Sequence, residues 1–316
     1  MPAPLLLTRS QVRKAMSAAN LDEAVRQALL LRAEGSVAPP VSGQIALPAA
    51  LLHLKAGAVT SPATLSVKAN LRPHGKAATG LIVLFDVQGA AITAVMDSAD
   101  ITAARTGALA AIAADCLAPA ARTLTILGAG PVARAALLAV TSLVPIRSIH
   151  VWSRSRAKAE DLARSLPRPI VVDDTASTAV RDAELVITAT PARQPLLEAC
   201  DLSSHAVILA MGADSPGKRE LGKSVLAQST IVVDQREDAL KVGECAYLSS
   251  EGIETGLIEL GDLLSGRASL PERRLNSRDF VVFDSVGSAI VDTLVAKSIL
   301  AEAIRLDIGL RLAFDA

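Results

Sequence analysis

Thr123–Ala133, TLTILGAGPVA, is the stretch whose reading decides the fold. Five residues with strand-like alternation run into Gly128, Gly130 and Ala133, and a helical stretch, Pro131–Leu143, follows at once. In a G-x-G-x-x-A turn the first glycine allows the tight bend, the second lets a pyrophosphate approach the backbone, and the small third residue lets helix and strand pack closely. Phosphates then sit at the helix N-terminus, where unpaired N–H groups and the dipole favour anions. Gly128, Gly130, Pro131, Val132 and Ala133 are therefore candidate dinucleotide contacts. The alternative is a purely structural strand–turn–helix, but the flanking strand and helix are the context the motif requires.

Outward from that turn, the chain is long for one core, and 316 residues suit two domains. Lys plus Arg equals Asp plus Glu at 32 each, so charge gives no case for a nucleic acid or a membrane surface. Hydrophobic residues make up 51% of the chain and aromatics only 2%, which implies an aliphatic, alanine-rich core. The N-terminus has neither the charged start nor the cleavage pattern of a signal peptide, and no apolar run reaches about 18 residues. Cys116, Cys200 and Cys245 fit neither a disulfide framework nor a zinc site. His53, His74, His150 and His205 have no metal-ligand spacing either, so a reduced, metal-free cytoplasmic protein is expected.

The N-terminal region announces two helices by their caps, since Thr8 with Gln11 and Asn20 with Glu23 both have capping-box spacing. The second, Leu21–Glu34, stops at Gly35. From Pro39 to Val95 the pattern is of short strands, Ala50–Ala58, Thr64–Leu71, Gly80–Asp86 and Ala91–Met96, with a turn at Gln88–Gly89. Strands without intervening helices imply an antiparallel sheet. In Thr64–Leu71, Leu65, Val67, Ala69 and Leu71 share one face, while Ser66, Lys68 and Asn70 share the other. On this pattern alone, Lys68 is an ordinary solvated strand lysine.

Ile101–Leu117 is a long, alanine-rich helix with Arg105 embedded in it. No carboxylate lies three or four residues away, and a buried arginine needs an anion. That anion is either a carboxylate from a distant segment or a ligand. Beyond Pro119, strands at Leu124–Leu127, Ser148–Trp152, Ile170–Val172, Leu185–Ala189, Ala206–Ala210, Ile231–Val233 and Val281–Asp284 alternate with helical segments, the rhythm of a doubly wound parallel sheet. Gly252–Asn276 reads as surface loops, and Ser288–Arg305 as a long apolar helix.

The end of the second strand of that sheet bears on the cofactor. An acid about 20 residues past the glycines would bond the ribose hydroxyls of NAD. Here the stretch is Val151-Trp152-Ser153-Arg154-Ser155-Arg156, with no acid. Arginine can hold a 2′-phosphate through a charge-assisted fork, so Ser153, Arg154 and Arg156 favour NADP(H), with NAD(H) possible. The alternative is that the arginines only solvate the start of the next helix.

Six stretches together resemble the ornithine cyclodeaminase/mu-crystallin family: VKAN (Val67–Asn70), TGLIVLFD (Thr79–Asp86), MDSADITAARTGA (Met96–Ala108), LGAGPVA (Leu127–Ala133), GADSPGKREL (Gly212–Leu221) and FDSVGSAIVD (Phe283–Asp292). The resemblance implies an α/β fold in which a doubly wound (Rossmann) dinucleotide domain, 119–285, is inserted into an α+β substrate and dimerisation domain, 1–118 plus 286–316. It also implies roles: Lys68 and Arg105 as substrate-carboxylate ligands, with Arg105 also reaching cofactor, and Asp214 as the catalytic carboxylate, with Lys68 beside it in the chemistry. Thr79, Thr190, Met211, Gly212, Lys218 and Ser285 fall at cofactor-contacting positions and Val286 at a substrate-contacting one. A carboxylate-binding arginine that many members carry in a Pro-Arg context is missing, because Pro39-Pro40-Val41-Ser42-Gly43-Gln44 contains none; Gln44 is the candidate substitute. A homodimer is implied as well.

Members of the family divide between cyclodeaminases, imine reductases, amino-acid dehydrogenases and ligand-binding proteins. An NADP-type pocket points to net reduction. The expectation is therefore NADPH-dependent reduction of a cyclic ketimine, Δ1-pyrroline-2-carboxylate to proline and its piperideine homologue to pipecolate. The alternatives are an ornithine or lysine cyclodeaminase, an amino-acid dehydrogenase, or a non-catalytic NADPH or small-ligand binder.

Overall fold

The structure, a computed structural model, describes residues 3–61, 63–73, 77–250, 256–272 and 278–312. The chain divides into two compact units, 1–105 with 288–316, and 106–287. His74 lies outside the described residues.

The first unit holds strands β1 (Leu5–Leu7), β2 (Val41–Leu47), β3 (Ala50–Thr60), β4 (Ala63–Pro73), β5 (Thr79–Asp86), β6 (Ala91–Asp97) and, from near the chain end, β15 (Leu310–Arg311). They form one sheet in the order β15-β1-β6-β5-β4-β3-β2. Strands β2 to β6 make an antiparallel meander, as expected from strands that follow one another without helices. The sheet as a whole is mixed, because β1 pairs parallel to β6. Neither β1 nor β2 was among the expected strands. Three leucines are too few to show a period, and β2 is an edge strand whose seven residues are all exposed.

Helices α1 (Arg9–Ala18) and α2 (Leu21–Ala33) begin where their caps predict. Gln11 returns its side chain to Thr8 N at 2.9 Å, and Asn20 Oδ1 accepts from Glu23 N at 3.1 Å. Gly35, at φ +72°, ends α2 in the left-handed region that glycine occupies without strain. The last helix, α11 (Ala289–Arg305), packs on α1, α2, β3 and β4. Its close approach is set at Gly57 of β3, where a Cβ would stand 2.8 Å from the backbone of Ala289.

Helix α3 (Ile101–Leu117) begins in the first unit and ends in the second. From Ala108 to Ala114 it is buried throughout, which accounts for its alanines. The second unit is an eight-stranded, wholly parallel sheet built from β7 (Thr123–Leu127), β8 (Ser148–Trp152), β9 (Val171–Val172), β10 (Leu185–Thr188), β11 (Val207–Ala210), β12 (Ser229–Val233), β13 (Ile258–Glu259) and β14 (Phe280–Asp284). The order is β13-β12-β14-β11-β10-β7-β8-β9. Its helices are α4 (Pro131–Leu143), α5 (Arg156–Ala163), α6 (Ala176–Val180), α7 (Lys223–Leu226), α8 (Arg236–Ala239), α9 (Glu244–Ser250) and α10 (Leu260–Leu264). This is the doubly wound α/β dinucleotide-binding fold. After β7 the chain goes to β8 on one side and then to β10 on the other, so the strand order reverses between β7 and β10. Ligands of such sheets bind at the carboxyl ends of the strands at that switch point. The stretch Gly252–Asn276, read as loops, contains β13 and α10; its positions 252–255 and 273–276 lie outside the described residues. No helix of the described residues is long and apolar enough to cross a membrane.

Candidate functional site

The glycine turn sits at that switch point. Gly128 follows β7 at φ +121°, and a Cβ there would lie 2.5 Å from Ala189 O, so this position needs glycine for the backbone itself. Gly130 differs, because nothing lies within 4 Å of where its Cβ would be. It is the N-cap of α4, Pro131 takes the first helical position, and no side chain caps the first turn. Val132 and Ala133 follow, and Ala133 is fully buried against the sheet. The volume a Cβ would fill at Gly130, next to uncapped N–H groups, fits a pyrophosphate. The turn therefore fits a dinucleotide, on its own geometry.

A cleft of about 720 Å³ opens beside the turn, lined by Gly128, Gly130, Trp152 and Thr190 among others. Three cations line it, Arg134, Arg154 and Lys158, with Asp161 as a carboxylate in the same wall. Ser153, half-buried, follows β8 directly and leads to Arg154. Arg156, grouped with Arg154 in the sequence, is instead paired with Asp174 and with Glu160 Oε1, the latter at 3.1 Å, and does not line the cleft. As the first residue of α5 it has Glu160 one turn ahead, the i,i+4 spacing that favours such a pair. Lys158, a residue the sequence analysis passed over, lines the cleft in its place.

The loops after β10 and β11 carry Thr190, Met211 and Gly212, and a buried carboxylate holds them together. Glu220 Oε1 accepts from Thr190 N and Thr190 Oγ1, both at 2.7 Å. Its Oε2 accepts from Thr188 Oγ1 at 2.7 Å and from Gly212 N at 2.9 Å. Burial pushes the Glu220 pKa up and these donors pull it down. Gly212 must be glycine, since a Cβ there would stand 2.4 Å from Thr190 O. Glu244, raised to about 8 by burial with Asp284 adding to it, accepts from Glu220 N at 2.6 Å and fixes the same segment from behind. Neither glutamate is marked by a local sequence signal, although Glu220 lies inside GADSPGKREL beside Asp214 and Lys218.

In that segment Asp214 and Lys218 are brought together, with Lys218 Nζ 2.5 Å from Asp214 Oδ1 and also donating to Gly212 O at 3.3 Å. Ser215 Oγ donates to the same carboxylate at 3.0 Å. Ser285 Oγ and Gly287 N both donate to Asp234 Oδ2, at 2.9 and 2.8 Å, and Val286 between them is buried.

In the first unit the polar face of β4 turns out to be the covered one. Ser66, Lys68 and Asn70 are buried, whereas Leu65, Val67, Ala69 and Leu71 are half-exposed, so Lys68 is not a solvated strand lysine. Each of the three meets a partner from a helix. Ser66 Oγ and Thr293 Oγ1 are hydrogen bonded at 2.7 Å. Lys68 Nζ is 2.5 Å from Asp292 Oδ2. Asn70 donates to Thr102 Oγ1 at 3.2 Å and accepts from Ser98 Oγ at 2.5 Å, which anchors the start of α3. One turn along α3, Arg105 Nε lies 3.1 Å from Asp292 Oδ1. The anion Arg105 needed is thus a distant carboxylate, Asp292 of α11, which it shares with Lys68. Thr79 begins β5 on an exposed position, and Gln44 is exposed on edge strand β2 opposite His53. Among the described residues no group of His, Cys, Asp and Glu could hold a metal.

The sequence profile of the ornithine cyclodeaminase/mu-crystallin family matches residues 5–305. The chain belongs to that family. It is 35% identical to the ketimine reductase mu-crystallin of Mus musculus over 217 residues, 68% of this chain and 67% of that one. It is 29% identical to a Δ1-pyrroline-2-carboxylate reductase of Bacillus thuringiensis over 258 residues, 78% of each chain. Among solved structures of the same fold are an archaeal alanine dehydrogenase dimer with bound NAD (TM-score 0.90, 26% identity, 99% of each chain) and the Thermococcus litoralis Δ1-pyrroline-2-carboxylate reductase with NADH and L-proline (TM-score 0.89, 26% identity, 98% of this chain and 100% of that one). A lysine cyclodeaminase is similar too (TM-score 0.82, 26% identity, 99% and 96%).

The two family glycines should separate by experiment. Gly130→Val is expected to fold with a modest loss of melting temperature from the poorer N-cap, because a Cβ there meets no protein atom within 4 Å, and to lose dinucleotide binding as followed by NADPH fluorescence. Gly128→Ala should lower the melting temperature further. A Gly130→Val protein that binds NADPH normally would show that the turn does not cradle the phosphates.

Proposed function

We propose that the chain is an NADPH-dependent reductase of cyclic ketimines, converting Δ1-pyrroline-2-carboxylate to L-proline and Δ1-piperideine-2-carboxylate to L-pipecolate. The observation that carries this reading is the buried pair Lys68 and Arg105, whose two positive charges share the one carboxylate of Asp292. One positive charge is left over, and burial makes it seek a small anion. An imino acid's carboxylate is such an anion. The Thermococcus reductase with NADH and L-proline and the mouse ketimine reductase support the choice of substrate.

Gly130, Val132, Ala133, Thr190 and Gly212 would hold the cofactor's phosphates and nicotinamide half, with Arg154 and Lys158 at the 2′-phosphate. When bound, the cofactor supplies hydride to the imine carbon. The protein's part is orientation and proton supply. Lys68 and Arg105 fix the substrate by its carboxylate, which removes most of its freedom before reaction. The imine carbon accepts hydride readily once its nitrogen is protonated, and Asp214 is the group that manages that proton. Lys218, hydrogen bonded to Asp214 Oδ1, gives the proton a route of replacement.

The deciding assay is loss of NADPH absorbance with each cyclic imino acid. The likeness to a lysine cyclodeaminase favours a second reading, in which ornithine or lysine would yield ammonia with no net cofactor consumption. Turnover on neither substrate class would leave a binding protein. Asp214→Asn is expected to lower kcat by about 10²–10⁴-fold, the range for a lost general acid, with NADPH affinity unchanged. An Asn variant with wild-type kcat across the pH range would sink the mechanism.

Cofactor preference has its own test. Arg154→Asp should weaken NADPH binding by about ten- to a hundredfold, one charge-assisted contact, and leave NADH nearly unaffected. Equal loss for both cofactors would show that Arg154 is not the selectivity device.

A homodimer is part of the proposal. Edge strand β2 exposes Val41, Ile45 and Leu47, and an apolar strand edge left open invites pairing. A related alanine dehydrogenase is described as a dimer. Light scattering at micromolar concentration should give twice the chain mass; a monomer would refute it.

A further inference from the structure

Asp292 lies at the centre of the buried cluster. It is 1% exposed, and its two oxygens divide between two cations, Oδ2 to Lys68 Nζ at 2.5 Å and Oδ1 to Arg105 Nε at 3.1 Å. Its placement is built into the packing rather than left to a flexible side chain. The close approach at Gly57 seats Ala289 on β3, and the next residue of α11 after Asp292, Thr293, is bonded to Ser66 of β4 and to Gly57 O at 3.1 Å. Ser66 and Lys68 are neighbours on one strand face, so the register that fixes Thr293 on Ser66 also fixes Asp292 on Lys68.

We propose that Asp292 is a positioning residue of the substrate site: it holds the Lys68 ammonium and the Arg105 guanidinium side by side and keeps the lysine charged, ready for a carboxylate. The proposal rests on reading Lys68 and Arg105 as the carboxylate ligands. The groups acting on Lys68 come from three elements: Asp292 from α11, Arg105 from α3, and Lys55, its cross-strand partner, from β3. Burial is the largest influence and pushes Lys68 down to about 7; Arg105 and Lys55 push the same way, and Asp292 opposes them. Without Asp292 the lysine would lose its proton at lower pH, and a neutral amine between cations would hold a carboxylate poorly.

The sign follows directly. Carboxylate capture needs protonated Lys68, so kcat/KM of the wild type should fall as pH rises through about 7. In Asp292→Asn that fall should move to lower pH by about one unit or more, the scale of an opposite charge in direct contact. The loss should appear in KM, roughly eightfold or more at pH 7.5, with kcat and NADPH affinity nearly kept. A purely structural aspartate would lower the melting temperature without moving the limb.

A readout independent of turnover is the Lys68 side-chain resonance in the full-length protein, assigned by its absence in Lys68→Met and titrated by NMR. Its midpoint should fall in Asp292→Asn; an unmoved midpoint in a folded variant overturns the proposal. If the wild type reduces no imino acid but the midpoint still falls, the substrate reading fails and the positioning role stands. Should Asp292→Asn fail to fold, the double variant Lys68→Met/Asp292→Asn should fold, since the buried repulsion is reduced. A double variant that remains unfolded would overturn the proposal.

Discussion

Burying a lysine beside an arginine is the constraint around which the first unit is arranged. Each cation loses its hydration, and the two repel, so neither position is tenable without a carboxylate from elsewhere. Asp292 is that carboxylate, and breaking such a buried group by removing one partner costs about 3–5 kcal/mol. Much else in the unit serves its placement. Gly57 lets α11 approach the sheet, Thr293 fixes its register on Ser66, and Asn70 with Ser98 fixes the start of α3, one turn before Arg105. The result is a polar seam between a sheet and two helices, where a core of this composition would ordinarily be aliphatic.

The second unit solves the opposite problem. Several of its buried acids, Glu220, Glu244 and Asp234, are met by backbone and hydroxyl donors. Glu220 takes four such bonds, Glu244 takes two from the backbone of Glu220 and Leu221, and Asp234 takes Ser285 Oγ and Gly287 N. Each bond ties down a loop at the carboxyl ends of the parallel strands, where a bound nucleotide meets the backbone. Apart from these loop acids, the cations Arg134, Arg154 and Lys158 line the cleft together with Asp161. Electrostatics here separates scaffold from site.

Much of the architecture was legible because it is written locally. Caps at Thr8 and Asn20, the alternation of β3 to β6, and the strand–turn–helix at Gly128 each depend on residues a few positions apart, and each element lies within a residue or two of its expected place. The strand pattern alone put Lys68 on the wrong face for a physical reason. A period of two divides a strand into faces without saying which face is covered, and here the covering helix comes more than two hundred residues later, as the Ser66–Thr293 separation of 227 shows. The same distance hid the partner of Arg105, whose helical neighbours offered nothing. Arg156 was misplaced by the reverse error. Arg154 lines the cleft from the loop before α5, whereas Arg156 opens the helix with Glu160 one turn on.

The glycines show how far such local signals can be taken. Gly128 and Gly130 are equal members of one motif, yet only Gly128 is demanded by the protein's own backbone; Gly130 stands against empty space. Open space at a helix N-terminus without a capping side chain fits an anion, which is why Gly130 belongs to the proposed phosphate site. Asp292 argues in the same way from the other direction. One carboxylate lies between two buried cations, so the charge balance there depends on the protonation of Lys68, and this is what the proposed carboxylate binding uses. The proposed phosphate and carboxylate sites thus differ in kind, the one built from backbone N–H groups at a helix N-terminus and the other from buried side chains.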